Sequence, residues 1–470
     1  MIGIRSFFRV ASLAVLSCPC LAVGEVVTWP APEGTTGVDG YAVRVNGKPV
    51  DVMGTPKPTY GLGEGRAYPY SFALFDADEE VEIEVSSSLP MKGSRILPSR
   101  LGVKFTAKDE KRVVFRARPP FNLVVEPSGR HHALVIGANL PERDAPKKGD
   151  ANVVWFGPGR HRLDRQLKIG DNQALYLAPG AWVEGAVLAS GSNVTIRGRG
   201  VLSGAPWDRW KGPAAGPCEL RGRNLVLRDI TILGSWGWTV YLNGVETGCV
   251  DGIRVLCGKV LNDDGIDVGR SRNVTIRNCL VRTQDDCICA KFHCENMLVE
   301  NCALWADFAN NIRIGFECDG AARPFRNIRY RGIDILHQTM FNDKPADGYW
   351  SENAINVQAS GGTTIEDLVF EDFRFESPQA MDLLFSARTL ICRYPPKEHT
   401  EGGHVRNVVV RNMELPKDRP LGAYGVWIQS LDDDHIVENV TFENIRNFQV
   451  PAGMRGKTRN IVGLPPLTRN

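Results

Sequence analysis

From residue 152 onward the chain repeats one short pattern, and that repeat restricts its fold more than any other feature. An asparagine or aspartate opens the unit, four residues of mostly alternating character follow, and a second asparagine, aspartate or glycine closes it. Instances are Asn193-Val-Thr-Ile-Arg-Gly198, Asn224-Leu-Val-Leu-Arg-Asp229, Asn273-Val-Thr-Ile-Arg-Asn278, Asn296-Met-Leu-Val-Glu-Asn301 and Asn327-Ile-Arg-Tyr-Arg-Gly332. The series continues with Asp367-Leu-Val-Phe-Glu-Asp372, Asn407-Val-Val-Val-Arg-Asn412 and Asn439-Val-Thr-Phe-Glu-Asn444. Period-two alternation of Val, Ile, Thr and Phe excludes helices. The irregular spacing and the lack of a leucine framework exclude a leucine-rich horseshoe. One unit cannot bury its apolar face alone, so the units stack and like side chains align from coil to coil. The predicted fold is all-β: a right-handed parallel β-helix, with Asn278 over Asn301 at a bend and Cys279 over Cys302 in the core.

The part before the repeat reads differently. Residues 25–140 hold short alternating runs such as Val81-Glu-Ile-Glu-Val and Arg112-Val-Val-Phe-Arg-Ala, with Asn46-Gly47 as a hairpin turn. They predict a smaller antiparallel β-sandwich domain ahead of a β-helix domain over 141–470. Residues 1–24 carry Arg5 and Arg9, an apolar stretch and the small-residue exit Ala22-Val23-Gly24, which predicts a signal peptide and a secreted or periplasmic protein. Cys18 and Cys20 leave lipoprotein processing as an alternative. No other apolar run is long enough for a transmembrane segment.

Of the 56 basic residues two lie in that leader, so the remainder balances 54 acidic ones. Such a balance gives no electrostatic reason to expect nucleic acid as a partner. Of the twelve cysteines, ten lie between Cys218 and Cys392 in apolar strand contexts. They read as buried thiols, with no zinc spacing, and no metal or cofactor is implied.

The repeat also sets the register of the acids. Asp264 precedes Asn273 by about nine residues, and Asp285 and Asp286 precede Asn296 by about eleven and ten. Matching offsets in successive coils place the three carboxyls on one patch, about 4.8 Å apart along the axis. Asp-Asp and Asp-Gly also mark turns, but turn chemistry alone does not require the offsets to match. Three carboxyls together suit glycosidic cleavage, with one protonated to serve the leaving oxygen and others ionised to activate water. Mutual repulsion is expected to raise at least one pKa.

Asn262-Asp263-Asp264-Gly265-Ile266-Asp267 followed by Gln284-Asp285-Asp286-Cys287-Ile288 resembles the Asn-Thr-Asp and Asp-Asp motifs of polygalacturonase-type glycoside hydrolases, family 28. Gly234-Ser235-Trp236-Gly237-Trp238 is similar to the segment leading into that family's site. A sandwich ahead of the helix is more like the dextranases of family 49, in the same clan. The resemblance implies an inverting hydrolase in which Asp285 is the general acid and Asp264 and Asp286 deprotonate the attacking water. It implies roughly 6.5 to 9.5 Å between acid and base. The family's Gly-His-Gly is here Ala309-Asn310-Asn311, and its carboxylate-binding Arg-Ile-Lys has only Ala354-Ile-Asn-Val-Gln358 in its place. An uncharged polysaccharide or oligosaccharide substrate, as for a dextranase, is therefore expected over galacturonan.

Substrate contacts are expected from Asn262, Asp263, Lys291, Asn310 and Arg313, and from the aromatic faces of Trp236, Trp238 and Trp350. Trp305, Phe316 and Tyr349 are further aromatics near the acidic coils. Asp267 is expected to hold the turn. Two alternatives stay open: a uronan hydrolase of the polygalacturonase kind, and a glycan-binding β-helix without catalysis. Oligomeric state is not legible.

Overall fold

The computed structural model describes residues 25–59, 68–338, 353–376, 383–394, 397–398, 401–415, 424–445, 448–449 and 456–464. The leader, Tyr349 and Trp350 lie outside the described residues. Every regular element is a strand apart from two single 3₁₀ turns, among the described residues.

From Val153–Phe156 to Arg459–Val462 the chain winds through one 25-stranded sheet in which strands two or three steps apart pair in parallel. Each coil contributes three short faces. In the central coil these are Ile266 to Gly269, Val274 to Arg277, and Leu280 to Thr283, which pair with Ile288 to Lys291, Met297 to Glu300, and Ala303 to Ala306 of the next. Alternate side chains point inward and form one continuous apolar core, including Val268, Ile276, Val281, Ala290, Val299 and Leu304.

The asparagines of the repeat turn the corners. Asn193, Asn224, Asn273, Asn278, Asn296, Asn301 and Asn327 all hold φ between 52° and 57°. This left-handed region is where asparagine is tolerated and branched residues are not. Their amides bridge the coils: Asn296 Nδ2 donates to Asn273 Oδ1 at 3.0 Å and Asn327 Nδ2 to Asn296 Oδ1 at 2.8 Å. The same ladder runs through Asp367, Asn407, Asn439 and Asn460. Cys279 and Cys302 are both in the core, and the ten cysteines from Cys218 to Cys392 are free thiols.

The N-terminal strands make two sheets around a separate core of Val43, Val45, Phe75, Ile83, Val85, Phe115, Leu123 and Ile136. Pairing is antiparallel except between Ser71–Ala77 and Leu134–Asn139, which run parallel. The outer face of that sheet, through Phe72, Leu74, Val124 and Val135, packs on the third face of the helix at Leu256, Leu280, Ala303, Trp305 and Leu336. Charged groups meet within the seam, although Arg282 Nη1 and Nη2 and Glu126 Oε2 have no hydrogen-bond partner among the described residues. The Arg282 guanidinium lies 3.8 Å from both the Tyr70 and Trp305 rings, its Nε donates to Asp307 at 3.1 Å, and His337 meets Glu126 at 2.5 Å. Trp305 is thus a seam residue.

Candidate active site

The loops that enter the first face of each coil form the site. Ile266 pairs with Ile288 and Ile288 with Ile312, so the residues two positions earlier stack as a column: Asp264, Asp286, Asn310. Val240 pairs with Ile266, which puts Trp238 at the head of that column. Asp285 comes from the neighbouring column, one residue before Asp286. The offsets against Asn273 and Asn296 correspond to this stacking.

One oxygen from each of Asp264, Asp285 and Asp286 lies within 4.8 Å of the others. Oxygen to oxygen, this is tighter than the 6.5 to 9.5 Å expected for an inverting pair. A single water hydrogen-bonded to two oxygens spans about 4.5 Å, so a separation within 4.8 Å admits one bridging water.

Each carboxyl is held differently. Asp264 is buried and its Oδ2 accepts from Lys291 Nζ at 2.7 Å. Burial pushes its pKa up, Lys291 opposes this, and the charge of Asp286 adds to the rise. Burial thus outweighs the repulsion expected from sequence. Asp286 Oδ1 accepts from the backbone N–H and the Nδ2 of Asn310 at 2.8 and 2.5 Å, and its Oδ2 faces Arg313 Nη1 at 3.3 Å. Asp285 is the most exposed of the three. Its Oδ2 accepts from the Asn262 N–H at 3.0 Å, and its Oδ1 from the Asp286 N–H at 3.0 Å.

Lys291 is the electrostatic hub. Its ammonium lies 2.7 Å from Asp264, 3.1 Å from Asp267 and 3.9 Å from Glu317, and 4.0 Å from the centre of the Trp238 ring. Burial alone would lower its pKa, but the three carboxylates hold it well above the ordinary lysine value. Asp267 is fully buried against this ammonium and burial raises its pKa strongly. It belongs to the charge cluster, where the sequence pointed to a turn.

Three candidates for sugar contact sit beneath the site. Asp263 is completely buried: Oδ1 accepts from the N–H groups of Gln284 and Asp285 at 2.8 and 3.1 Å, and Oδ2 from those of Gly258 and Lys259 at 2.6 and 3.1 Å. It ties two successive loops together and so fixes the backbone of Asp285. Burial pushes its carboxyl up to about 7, against these four donors. Asn310 is also fully buried; it holds Asp286, and its Oδ1 accepts from the Asn353 N–H at 2.7 Å and Asn356 Nδ2 at 3.1 Å. Trp236 has no exposed surface and its Nε1 donates to Ala214 O at 2.7 Å, so it supports the loop above it.

The remaining candidates line one cavity of about 340 Å³, within the range of small-molecule sites. Asn262, Trp238, Lys291 and Arg313 share its wall with the three catalytic candidates. Arg209, Trp210, Phe308, Phe316 and Glu317 also line it. Of these, the sequence pointed only to Phe316 as a nearby aromatic. Arg209 and Trp210 lie in a loop outside the repeat, and Glu317 lies on a strand, Ile312–Cys318, without the asparagine signature. Glu317 is tied to Asp264 and Asp267 through Lys291, contacts that no sequence offset signals.

Residues 220–306 match glycosyl hydrolases family 28. The chain is 21% identical over 301 residues to isopullulanase of Aspergillus niger, covering 56% of this chain and 50% of that protein. It is 26% identical over 216 residues to a probable polygalacturonase of Arabidopsis thaliana, covering 38% and 47%. The chain therefore spans about half the length of the curated relatives it matches. Among solved structures, Dex49A from Penicillium minioluteum superposes with a TM-score of 0.62 at 14% identity, covering 91% of this chain and 94% of that one. The fold is shared across both layers of the molecule.

Proposed function

We propose that this chain, a parallel β-helix of the polygalacturonase and dextranase type, is a glycoside hydrolase that cleaves a neutral polysaccharide with inversion. The observation that carries the reading is the meeting of Asp264, Asp285 and Asp286 from neighbouring coils, within 4.8 Å, on the wall of a cavity.

Asp285 is assigned as general acid because it is the member that reaches solvent, where a glycosidic oxygen can meet it. A sugar seated over it strips away water and raises its proton affinity, as a proton donor needs. Asp264 and Asp286 are assigned to the water. Lys291 donates to Asp264 at 2.7 Å and opposes the rise that burial imposes on its pKa, Arg313 Nη1 lies 3.3 Å from Asp286 Oδ2, and a separation within 4.8 Å admits one water held between two oxygens. The proton leaves Asp285 for the departing sugar oxygen while a water proton passes to the ionised carboxyl, so the pair exchanges charge in each turnover.

Neutrality of the substrate is supported by the wall itself. Four carboxyls, Asp264, Asp285, Asp286 and Glu317, face three cations, Arg209, Lys291 and Arg313, and two of these cations are engaged by the acids. A uronate would bring further negative charge into an already acidic cavity. The basic-then-apolar N-terminus supports an exported enzyme, which suits a polymeric substrate outside the cell.

The test is reducing-end release from dextran, pullulan and polygalacturonan by the native protein and by Asp285→Asn. We expect release from a neutral glucan, reduced at least about a hundredfold in the variant, in line with loss of a general acid. Proton NMR of the first product should show the anomer opposite to the substrate linkage. Undiminished release by Asp285→Asn would remove Asp285 as the acid, and retention of configuration would remove the inverting assignment.

A further inference from the structure

The cavity carries an aromatic surface that neither the acid cluster nor the repeat accounts for. Residues 205–217 form a loop outside the repeat, and Trp210 on it is 49% exposed while lining the cavity with Asp264 and Asp285. We propose that Trp210 is the platform on which a pyranose ring of the substrate rests, beside the acid cluster. Its loop also links that contact to Asp285. The inference deepens the hydrolase reading and rests on it.

Four observations support a built surface. Trp210 has φ +58°, a left-handed conformation that a bulky aromatic residue adopts only when its surroundings enforce it. The enforcement is visible: the Trp210 N–H donates to Trp236 O at 2.7 Å, and its ring lies over Gly237, where a Cβ would fall 2.5 Å from Cζ3. The loop is pinned from below. Lys259 Nζ donates to the carbonyls of Ala205 and Trp207 at 2.7 and 2.5 Å, and the buried Trp236 ring packs so closely on Gly212 that a Cβ there would fall 2.0 Å from it. Finally, Trp238 stands edge-on to Trp210 at 6.4 Å, and Lys291 lies over its ring. Trp210 is the more exposed of the pair.

Trp238 heads the column that descends to Asp264 and so stands about one rung, near 4.8 Å, from the first acid, and the platform stands beside Trp238, ring centre to ring centre 6.4 Å, on the same cavity wall. Arg209, the residue beside it, contacts Asn262 Oδ1 through Nη2, and Asn262 donates to Asp285 Oδ2 from its N–H at 3.0 Å and from Nδ2 at 3.5 Å. A ring bound on Trp210 is therefore linked, through Arg209 and Asn262, to the loop that orients the acid. The chemistry recognised is the C–H face of an uncharged hexopyranose, which stacks on indole, and the acid surplus of the wall disfavours a uronate there.

The experiment uses the full chain with Asp285→Asn, so that binding is read without turnover. Tetrasaccharides prepared from dextran, pullulan and polygalacturonan are titrated calorimetrically against this protein and against the same protein carrying Trp210→Ala or Trp210→Phe. We expect a neutral tetrasaccharide to bind, Trp210→Ala to weaken it about tenfold or more, and Trp210→Phe to recover most of the loss. Gly237→Ala, whose Cβ would meet both the Ala215 carbonyl and the Trp210 ring, displaces the ring and its loop without removing the indole and should weaken binding too. Equal affinity in all the proteins, with sugar release by the native enzyme intact, overturns this inference alone. Neither binding nor release with any of the three glycans overturns it together with the hydrolase reading. Self-association that Trp210→Ala abolishes, with sugar affinity unchanged, would reassign the surface to contact between copies and overturn it as well.

Discussion

At the residue scale the site is a problem of keeping carboxyls in different protonation states a few ångströms apart. Lys291 is the side chain that bears most on this, since it touches Asp264, Asp267 and Glu317 together. Its charge favours the ionised form of Asp264, whose pKa burial already raises. Removing the cation must raise that pKa further, so a base that works ionised is lost at a higher pH. For Lys291→Met the acid limb of the kcat/KM profile is expected to move upward by about one pH unit or more, with the loss greatest in acid. Coincident acid limbs for native and variant would show that Lys291 does not set the state of Asp264. The acids were legible in sequence because coil register forces equivalent positions to stack. Their environment was not: Asp267 reads as a turn residue, and nothing local reveals that Lys291, a coil later, reaches back to it. The same holds for Trp236 and Trp238, two residues apart, of which one is covered by a loop whose path the repeat does not specify.

At the scale of elements, the corners and the seam obey different rules. The corners were legible because a left-handed bend with an amide ladder admits few residues other than asparagine, so Asn273, Asn296 and Asn327 announce their own geometry. The seam between sandwich and helix has no such signature. Its central contact sets Arg282, bonded to Asp307, between the Tyr70 and Trp305 rings; Trp305 is its register partner in the next coil, but Tyr70 comes from the sandwich, which nothing periodic relates to the helix. Arg282 and Asp307 are both fully buried, so truncating one leaves an uncompensated charge in the seam. Arg282→Ala should cost about 3–5 kcal/mol, read as a lower urea midpoint by tryptophan fluorescence. Arg282→Lys should not restore it, because an ammonium cannot fill a planar slot between two rings. A midpoint within error of the native value would mean that the seam contributes nothing to the stability of the fold.

At the scale of the whole molecule, charge balance and shape point the same way. A β-helix extends its first face over many coils, and a polymer can lie along it while only the coils from Trp238 to Arg313 carry chemistry. The chain outside the leader holds equal numbers of acids and bases, and the cavity has more carboxyls than cations. On the proposed neutral-substrate reading, long-range attraction therefore contributes little to encounter with substrate, and what holds the polymer is contact at short range. An enzyme of this kind should show kcat/KM on its neutral polymer changing by less than about twofold between low and physiological salt, because nothing in the encounter is screened. A uronan hydrolase depends on cations along its groove, and its kcat/KM should fall steeply over the same range. Measured on dextran, pullulan and polygalacturonan in parallel, a flat profile on a glucan supports the neutral-substrate reading. A steep fall, accompanied by preference for polygalacturonan, would transfer the protein to the uronan class and make Arg209 and Arg313 the first residues to replace.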